Sequence, residues 1–209
     1  MDDLHSLFPT PVFQSQIPLQ NSWLENIKNL MYDRTTGDNG YVSKDKDIFN
    51  HPDLHDLKNK IDEQIKLFAC EHLNVQSHVN FEISKSWSVK HLHLDWAHKH
   101  CHTDSVFSGI YYLDVDEYSG DLLLDKGLHT TNCFMPTLTP DVTQYNTYTQ
   151  QNWRLKPENG MLVVFPSQII HSVEPNKSPH LERYAIAFDV IIKGLCNPTF
   201  IISKSFSSL

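Results

Sequence analysis

Histidine is concentrated in one short part of this chain. The sequence between residues 91 and 102 contains His91, His93, His98, His100 and His102, and a further histidine, His171, follows much later in the run VVFPSQIIHSVEP. Imidazole is the commonest metal-binding side chain. Because side chains alternate along a strand, His100 and His102 are expected to project from one strand face. Together with the distant His171, this pair predicts a metal site between strands of a β-domain.

The remaining ligand and the metal itself stay open at this point. Asp104 continues the same period-two face as the histidine pair, and His98 joins it if the strand begins early enough. Two histidines with one carboxylate are typical of non-haem Fe(II), while imidazole also suits zinc, copper and nickel. We interpret His91, His93 and His98 as surface histidines. Cys101 lies on the opposite face of the strand, where we expect it to pack.

Arg183 is the next residue whose surroundings suggest chemistry. It follows His171 along the chain and opens the strand RYAIAFDVII, in which the even-numbered residues form a large apolar face. Arg183 shares the other face with Ala185 and Ala187, which leave room for a ligand. A guanidinium group can hold a carboxylate by two parallel hydrogen bonds. The alternative interpretation is a surface salt bridge, for example to Glu182.

The elements that must position these residues follow from periodicity and punctuation. Residues 6–20 have the character of an extended strand, and a capping box of Ser22 and Glu25 predicts a helix over 23–33. Residues 34–49 are rich in Gly, Asp and Lys, which indicates a polar loop. A second helix is predicted from Pro52 to about Leu73, because Pro suits a first helical turn and an apolar stripe follows.

From Val79 onward the apolar residues alternate, which indicates strands. The segments VFSGIYYLDV, GDLLLD, NWRLKP, MLVVFP, IIHSVEP and RYAIAFDVII are short and separated by turn residues. Two helices followed by many strands predict a β-sandwich or jelly roll with helices backing one sheet. The polar stretch 126–152, with Tyr145, Tyr148 and Trp153 near its end, is interpreted either as a substrate lid or as a mobile surface loop.

Composition excludes several classes of protein. The 209 residues are 40% hydrophobic with a net charge of −8, which argues against a nucleic-acid binder. No apolar run is long enough to span a membrane, and the first residues lack the pattern of a signal peptide. The four scattered cysteines are interpreted as free thiols in a reducing cytoplasm. We expect an acidic cytoplasmic protein with no nucleic-acid or membrane partner, and a homo-oligomer is left open.

The segments HCHTDSVFSGIYYL, GDLLLD, NGMLVVFPSQIIHSVEPN and ERYAIAFDV together resemble the 2-oxoglutarate/Fe(II)-dependent oxygenases. They are most similar to a branch of small oxygenases found in bacteria and marine phages, distantly related to prolyl 4-hydroxylases, and the N-terminal LFPTPVF resembles that branch too. The resemblance implies one mainly β domain over 1–209, a double-stranded β-helix (jelly roll), with helical support in 1–75 and the core in 76–203. It also implies a host cytoplasm if the chain is phage-encoded.

The resemblance further implies roles for individual residues. His100 and His102 match the paired histidines of the branch, and His171 matches its distal metal ligand. Arg183 matches the basic residue that binds the far carboxylate of 2-oxoglutarate. Tyr112 matches a tyrosine that assists this contact in related prolyl hydroxylases. By strand parity Ser108 lies on the same face as Tyr112, which adds it as a cosubstrate-binding candidate.

One departure from the branch leaves the ligand set open. Thr103 stands where the branch usually has proline, and His102-Thr103-Asp104 also fits the His-x-Asp motif of the wider superfamily. The iron is therefore held by His100, His102 and His171, which we favour, or by a set in which Asp104 replaces His100.

The predicted function is that of a dioxygenase using Fe(II), 2-oxoglutarate and O2. It would hydroxylate an unknown small-molecule or protein substrate with release of succinate and CO2. Two alternatives remain: a cupin-like metal enzyme that does not use 2-oxoglutarate, and a jelly-roll binding module without catalysis.

Overall fold

Two antiparallel sheets form the framework of the protein. The computed structural model describes residues 4, 6, 9–36, 40–127 and 140–193. The larger sheet contains β1 (Phe13–Gln16), β2 (Tyr32–Arg34), β3 (Tyr41–Ser43), β4 (Asn80–His91), β6 (Phe107–Asp114), β9 (Met161–Pro166) and β11 (Arg183–Lys193), in the order β1-β9-β6-β11-β4-β3-β2. The smaller sheet contains β5 (Ala97–His100), β7 (Leu122–Asp125), β8 (Asn152–Leu155) and β10 (His171–Val173), in the order β5-β10-β7-β8. This is the predicted jelly roll.

The helices cover the outer face of the larger sheet. They are α1 (Asn21–Lys28) and α2 (His55–Leu67), with short 3-10 turns at Ile48–Asn50 and Pro52–Leu54 and a π-turn at Phe68–His72. Leu57, Ile61 and Ile65 form the buried stripe of α2. They share one core with Tyr184, Ile186, Phe188 and Val190 of β11. Fully burying an aliphatic side chain contributes roughly 1.5–3 kcal/mol, so this stripe fixes the helix to the sheet. No helix in the described ranges is long and apolar enough to cross a membrane.

The inner face of the larger sheet carries the residues of chemical interest. Across β11 and β4, Arg183 opposes His91, Ala185 opposes Val89 and Ala187 opposes Trp87. Across β11 and β6, the same two alanines oppose Tyr112 and Ile110, and Asp189 opposes Ser108. Direct antiparallel partners share a face. The odd-numbered residues of β11 therefore point away from the helices and toward the smaller sheet.

Gly109 shows how closely the outer face is packed. It opposes Phe188 across β6 and β11, and a Cβ at this position would lie 2.1 Å from the phenylalanine ring. Only a residue without a side chain fits there, which explains the glycine in the run SGIYY.

The N-terminal third differs from the expectation in three places. The first helix is Asn21–Lys28 and its N-cap is Gln20, without a side-chain capping bond, so the predicted capping box is wrong. Tyr32–Arg34 forms a strand and the expected loop 34–49 contains β3, because both segments extend the large sheet beyond β4. The extended segment 6–20 is a strand only at Phe13–Gln16.

Other expectations hold or lie outside the described residues. The second helix begins at Pro52 as predicted, with a 3-10 turn before α2 and a π-turn after it. Strands from the first 75 residues add to both edges of the large sheet. Residues 128–139 of the long polar stretch, the end of the predicted core at 194–203, Cys133 and Cys196 all lie outside the described residues.

Candidate metal and cosubstrate site

Three histidines meet between β5 and β10. His100, the last residue of β5, is the direct partner of His171, the first residue of β10. His102 follows β5, and its backbone N–H donates to the Ser167 carbonyl at 2.9 Å. The ligand atoms of these three side chains all lie within 4.8 Å of one another. The structure thus brings together the three histidines that the sequence predicted as metal ligands.

Hydrogen bonds fix which nitrogen of each ring faces the cluster. The Nδ1 atoms of His100 and His171 lie 2.8 Å and 2.9 Å from the carbonyl oxygens of His98 and Ile169. The Nδ1 atom of His102 lies 2.5 Å from Asp189 Oδ1. Carbonyl and carboxylate oxygens only accept, so each Nδ1 carries the hydrogen and each Nε2 keeps its lone pair. This is the arrangement of metal-binding imidazoles.

The surroundings keep His171 neutral and hold the rings in place. Burial lowers the pKa of His171 to about 4, opposed by its hydrogen bond to the Ile169 carbonyl and aided by the neighbouring His100 and His102. A neutral imidazole is the form that binds metal. The Trp87 ring lies 5.9 Å from that of His102, and the Phe165 ring lies 5.0 Å from that of His171. Three imidazole nitrogens suit Fe(II) as well as zinc, copper or nickel.

Asp104 is not brought to this cluster. The strand ends at His100 and the chain bends at 103–104, so the predicted period-two face does not extend to Asp104. Its carboxylate is 61% exposed and pairs with Lys85, whose hydrogen bond and charge lower the pKa of Asp104. The expectation that Cys101 packs is also wrong, because this thiol is exposed. His98 is exposed as predicted, and its ring lies 5.6 Å from that of His100.

Arg183 is a buried cation without a carboxylate partner in the described chain. It is 2% exposed, and its Nη1 donates to His91 Nδ1 at 3.1 Å. Its Nε and Nη2 atoms are buried with no hydrogen-bond partner among the described residues, as is the Tyr112 hydroxyl. The guanidinium lies 5.4 Å from the Tyr112 ring centroid. The alternative of a surface salt bridge to Glu182 is wrong, because Glu182 instead accepts from the Tyr184 hydroxyl at 2.6 Å.

Burial shifts the pKa of all three groups in this corner. It lowers the pKa of Arg183 and raises that of Tyr112. Burial, with the adjacent Arg183 charge, lowers the pKa of His91 to about 3. His91 is therefore a neutral acceptor for the guanidinium. The interpretation of His91 as a surface histidine is wrong, and only the β4–β11 register, with His91 opposite Arg183, reveals its place.

One cavity joins the histidine cluster to Arg183. It encloses about 110 Å³. Its lining includes the three clustered histidines, Arg183, the small residues Ala185 and Ala187, and the two residues Ser108 and Ile110 of β6. The Ser108 hydroxyl lies 2.8 Å from Asp189 Oδ1 and 2.9 Å from the Ser167 hydroxyl. Ser108 is thus part of the cavity wall, and its role in cosubstrate binding stays a prediction.

Sequence reasoning missed Asp189, whose carboxylate contacts His102, Ser105 and Ser108. It lies far from the histidines in sequence, so no local motif indicates it.

The smaller sheet carries a row of side chains that begins at the histidine cluster. His171, Leu124 and Trp153 are successive direct partners across β10, β7 and β8, so all three lie on the inner face. Trp153 is 49% exposed and forms the outer end of a row that begins at the cluster.

Solved structures of 2OG-Fe(II) oxygenases share this fold. An oxidoreductase of that family from Burkholderia pseudomallei is 13% identical, with a TM-score of 0.57 over 85% of this chain and 84% of the other. A prolyl-4-hydroxylase from Pseudomonas putida is 15% identical, with a TM-score of 0.57 over 90% and 96%. HygX from Streptomyces hygroscopicus, solved with nickel and 2-oxoglutarate bound, is 9% identical, with a TM-score of 0.60 over 87% and 82%.

No curated protein matches the sequence. The family model described as "Putative 2OG-Fe(II) oxygenase" matches residues 85–189, half of the chain. The matched region includes the three clustered histidines and Arg183. The chain therefore belongs to the 2OG-Fe(II) oxygenase family, the oxidoreductases that use Fe(II), 2-oxoglutarate and O2.

Proposed function

We propose that this protein is a dioxygenase that hydroxylates a substrate while 2-oxoglutarate is converted to succinate and CO2. Fe(II) is held by His100, His102 and His171, and the far carboxylate of 2-oxoglutarate is held by Arg183. One observation carries the proposal: three Nε2 lone pairs face the same cavity as a buried guanidinium that has two nitrogens without a partner among the described residues. Neither feature stabilises the fold by itself, and each has the chemistry of a ligand-binding group.

The charge of Arg183 supports a dicarboxylate cosubstrate. A buried ion without a partner is costly, and a hydrogen-bonded counter-ion offsets part of that cost. The free Nε–H and Nη2–H groups of Arg183 form the two-pronged donor that a carboxylate accepts from. The Tyr112 hydroxyl, also without a partner among the described residues, is available as a further donor. His91 holds the third guanidinium nitrogen and so orients the other two.

The remaining cavity residues control geometry and water. Bound Fe(II) and 2-oxoglutarate together supply the oxidising chemistry by activating O2. The chain holds the imidazoles by their Nδ1 hydrogen bonds, so that the Nε2 atoms need no reorientation on metal binding. Ile110, Ala185 and Ala187 line the space between the cluster and Arg183 with apolar surface, which excludes water from the reacting groups.

Two alternatives are less well supported. A cupin-like metal enzyme without 2-oxoglutarate has no use for a buried Arg183 that lacks a carboxylate partner among the described residues, and the family match points to 2-oxoglutarate use. A binding module without catalysis would not need three imidazoles with matched tautomers and a neighbouring buried cation. The support for oxygenase chemistry therefore comes from the combination of the two features.

Succinate formation tests the proposal. Purified protein loaded with Fe(II) is incubated with 2-oxoglutarate in air, and succinate is measured with and without O2. We expect O2-dependent succinate from the wild type and none from His171→Ala. His98→Ala is the matched control, since His98 is a nearby exposed histidine outside the cluster, and it should retain activity. Equal succinate from wild type and His171→Ala would refute the assignment of the metal site.

A further inference from the structure

No carboxylate of the described residues belongs to the histidine cluster, yet one lies directly behind it. Asp189 is 4% exposed and its Oδ1 lies 2.5 Å from His102 Nδ1. Ser108 and Ser105 lie 2.8 Å and 3.3 Å from the same oxygen. The cross-strand partner of Asp189 on β4 is Lys85, whose amine instead pairs with exposed Asp104. The Asp189 carboxylate is thus hydrogen-bonded to the imidazole and not to Lys85.

Strand pairing on both sides holds the backbone of Asp189. The β4–β11 ladder has a register shift next to Asp189, where β4 carries the extra residue Ser84, and the Ser84 hydroxyl donates to the Asp189 carbonyl at 3.3 Å. Such bulges are common beside active sites. On the other side, Asp189 is the direct partner of Ser108 on β6. Burying a carboxylate there costs several kcal/mol unless hydrogen bonds and a partner offset it.

We infer that Asp189 is a positioning residue that supplies, through His102, the negative charge that a carboxylate ligand supplies in a two-histidine, one-carboxylate iron site. Three neutral imidazoles leave the charge of Fe(II) without a protein counter-charge. A carboxylate that accepts the Nδ1 hydrogen of a ligand histidine fixes its tautomer and raises its basicity. The negative charge is thus placed one hydrogen bond outward from the metal: Asp104 does not supply it as a ligand, and Asp189 supplies it through His102.

This inference rests on the proposed metal site, and metal affinity tests both separately. Fe(II) binding is measured anaerobically by competition with a chelator for the wild type, Asp189→Asn, Asp189→Ala, Asp104→Asn and His171→Ala. The amide oxygen in Asp189→Asn can still accept from Nδ1 but carries no charge. Loss of such an outer carboxylate typically lowers metal affinity roughly 10–100-fold. We expect at least a tenfold loss in Asp189→Asn, a greater loss in Asp189→Ala, and wild-type affinity in Asp104→Asn.

The outcomes are distinct. Wild-type affinity in Asp189→Asn overturns the inference even if His171→Ala has lost its metal. Unchanged affinity in His171→Ala overturns the metal site itself. Circular dichroism of the metal-free variants shows whether each is folded. Nitrogen-15 histidine spectra of the zinc-loaded wild type provide a test that needs no variant: the Nδ1 of His102 must carry the proton, and protonation at Nε2 overturns the inference.

Discussion

Replacing Arg183 by methionine should separate ligand binding from stability. The guanidinium is buried with two nitrogens that have no hydrogen-bond partner among the described residues. Methionine keeps much of the side-chain length and removes the charge. In the protein without 2-oxoglutarate, this relieves the cost of burying the cation and leaves His91 Nδ1 without its donor. The two effects have opposite signs.

The magnitudes follow from the contacts. Replacing buried ionic groups by apolar ones stabilises by up to about 1–4 kcal/mol, while an abandoned buried acceptor costs about 1–3 kcal/mol. The free energy of unfolding should therefore fall by no more than about 2 kcal/mol, or rise by up to about 3 kcal/mol. Binding of 2-oxoglutarate loses a buried charge pair, which costs about 2–5 kcal/mol. At 1.4 kcal/mol per factor of ten, this is a loss of roughly 30-fold to several thousand-fold.

Two measurements check this prediction. Anaerobic calorimetry with Fe(II)-loaded protein gives the 2-oxoglutarate affinity, and urea unfolding of the metal-free protein gives stability. Arg183→Lys should bind with intermediate affinity, because it keeps the charge but not the two-pronged donor. Wild-type affinity in Arg183→Met would refute the anchor. A destabilisation of about 3–5 kcal/mol, as for a broken internal ion pair, would show that Arg183 serves the fold instead.

Three further predictions concern the ligand set, the buried His91 and the packing of Gly109. His100→Ala should abolish Fe(II) binding while Asp104→Asn retains it, as measured by metal analysis after dialysis; the reverse result means that Asp104 is the ligand. Unfolded histidine has a pKa near 6.5, whereas burial lowers the pKa of His91 to about 3. Below pH 6.5 unfolding therefore takes up a proton, and the free energy of unfolding decreases as the pH decreases. Between pH 7 and pH 5 this proton uptake lowers the free energy of unfolding by about 2 kcal/mol. His91→Phe should abolish this part of the pH dependence, as measured by urea unfolding at both pH values. An unchanged pH dependence would contradict the burial of a neutral His91. Gly109→Ala should destabilise by about 1–3 kcal/mol or more through overpacking, because its Cβ would meet the Phe188 ring at 2.1 Å; urea unfolding with wild-type stability would show that the ring can move aside.

The spacing of residues within single segments predicted the inner face of β11 and the buried stripe of α2. The alternation in β11 placed Arg183 beside Ala185 and Ala187, and the cavity lining confirms that face. The apolar stripe of α2 is buried as its spacing indicates. The strand Tyr32–Arg34 was missed because it is three residues long and forms by pairing with β3 at the sheet edge. Tertiary pairing decided its structure, not its own periodicity.

The functional site likewise combines residues that local spacing predicted with residues that only the tertiary structure brings into contact. The type and spacing of His100, His102 and His171 pointed to the cluster that the structure brings together. Strand parity failed at Asp104, because parity holds only within a strand and β5 ends at His100. His91 and Asp189 could not be found by motif, since each acts on a residue of a distant segment through the register of β11. The roles of these two positioning residues are visible only in the strand pairing and the tertiary contacts.

The most direct measurement is an anaerobic titration of the metal-free protein with Fe(II) and then 2-oxoglutarate, monitored by visible absorption. We expect one Fe(II) per chain and a weak charge-transfer band that saturates at one 2-oxoglutarate per iron. The band should be absent in His171→Ala, and in Arg183→Met it should require a much higher 2-oxoglutarate concentration. A wild-type protein that binds Fe(II) but gives no band, or a His171→Ala variant that gives the same band, would contradict the claim that this cavity holds both groups.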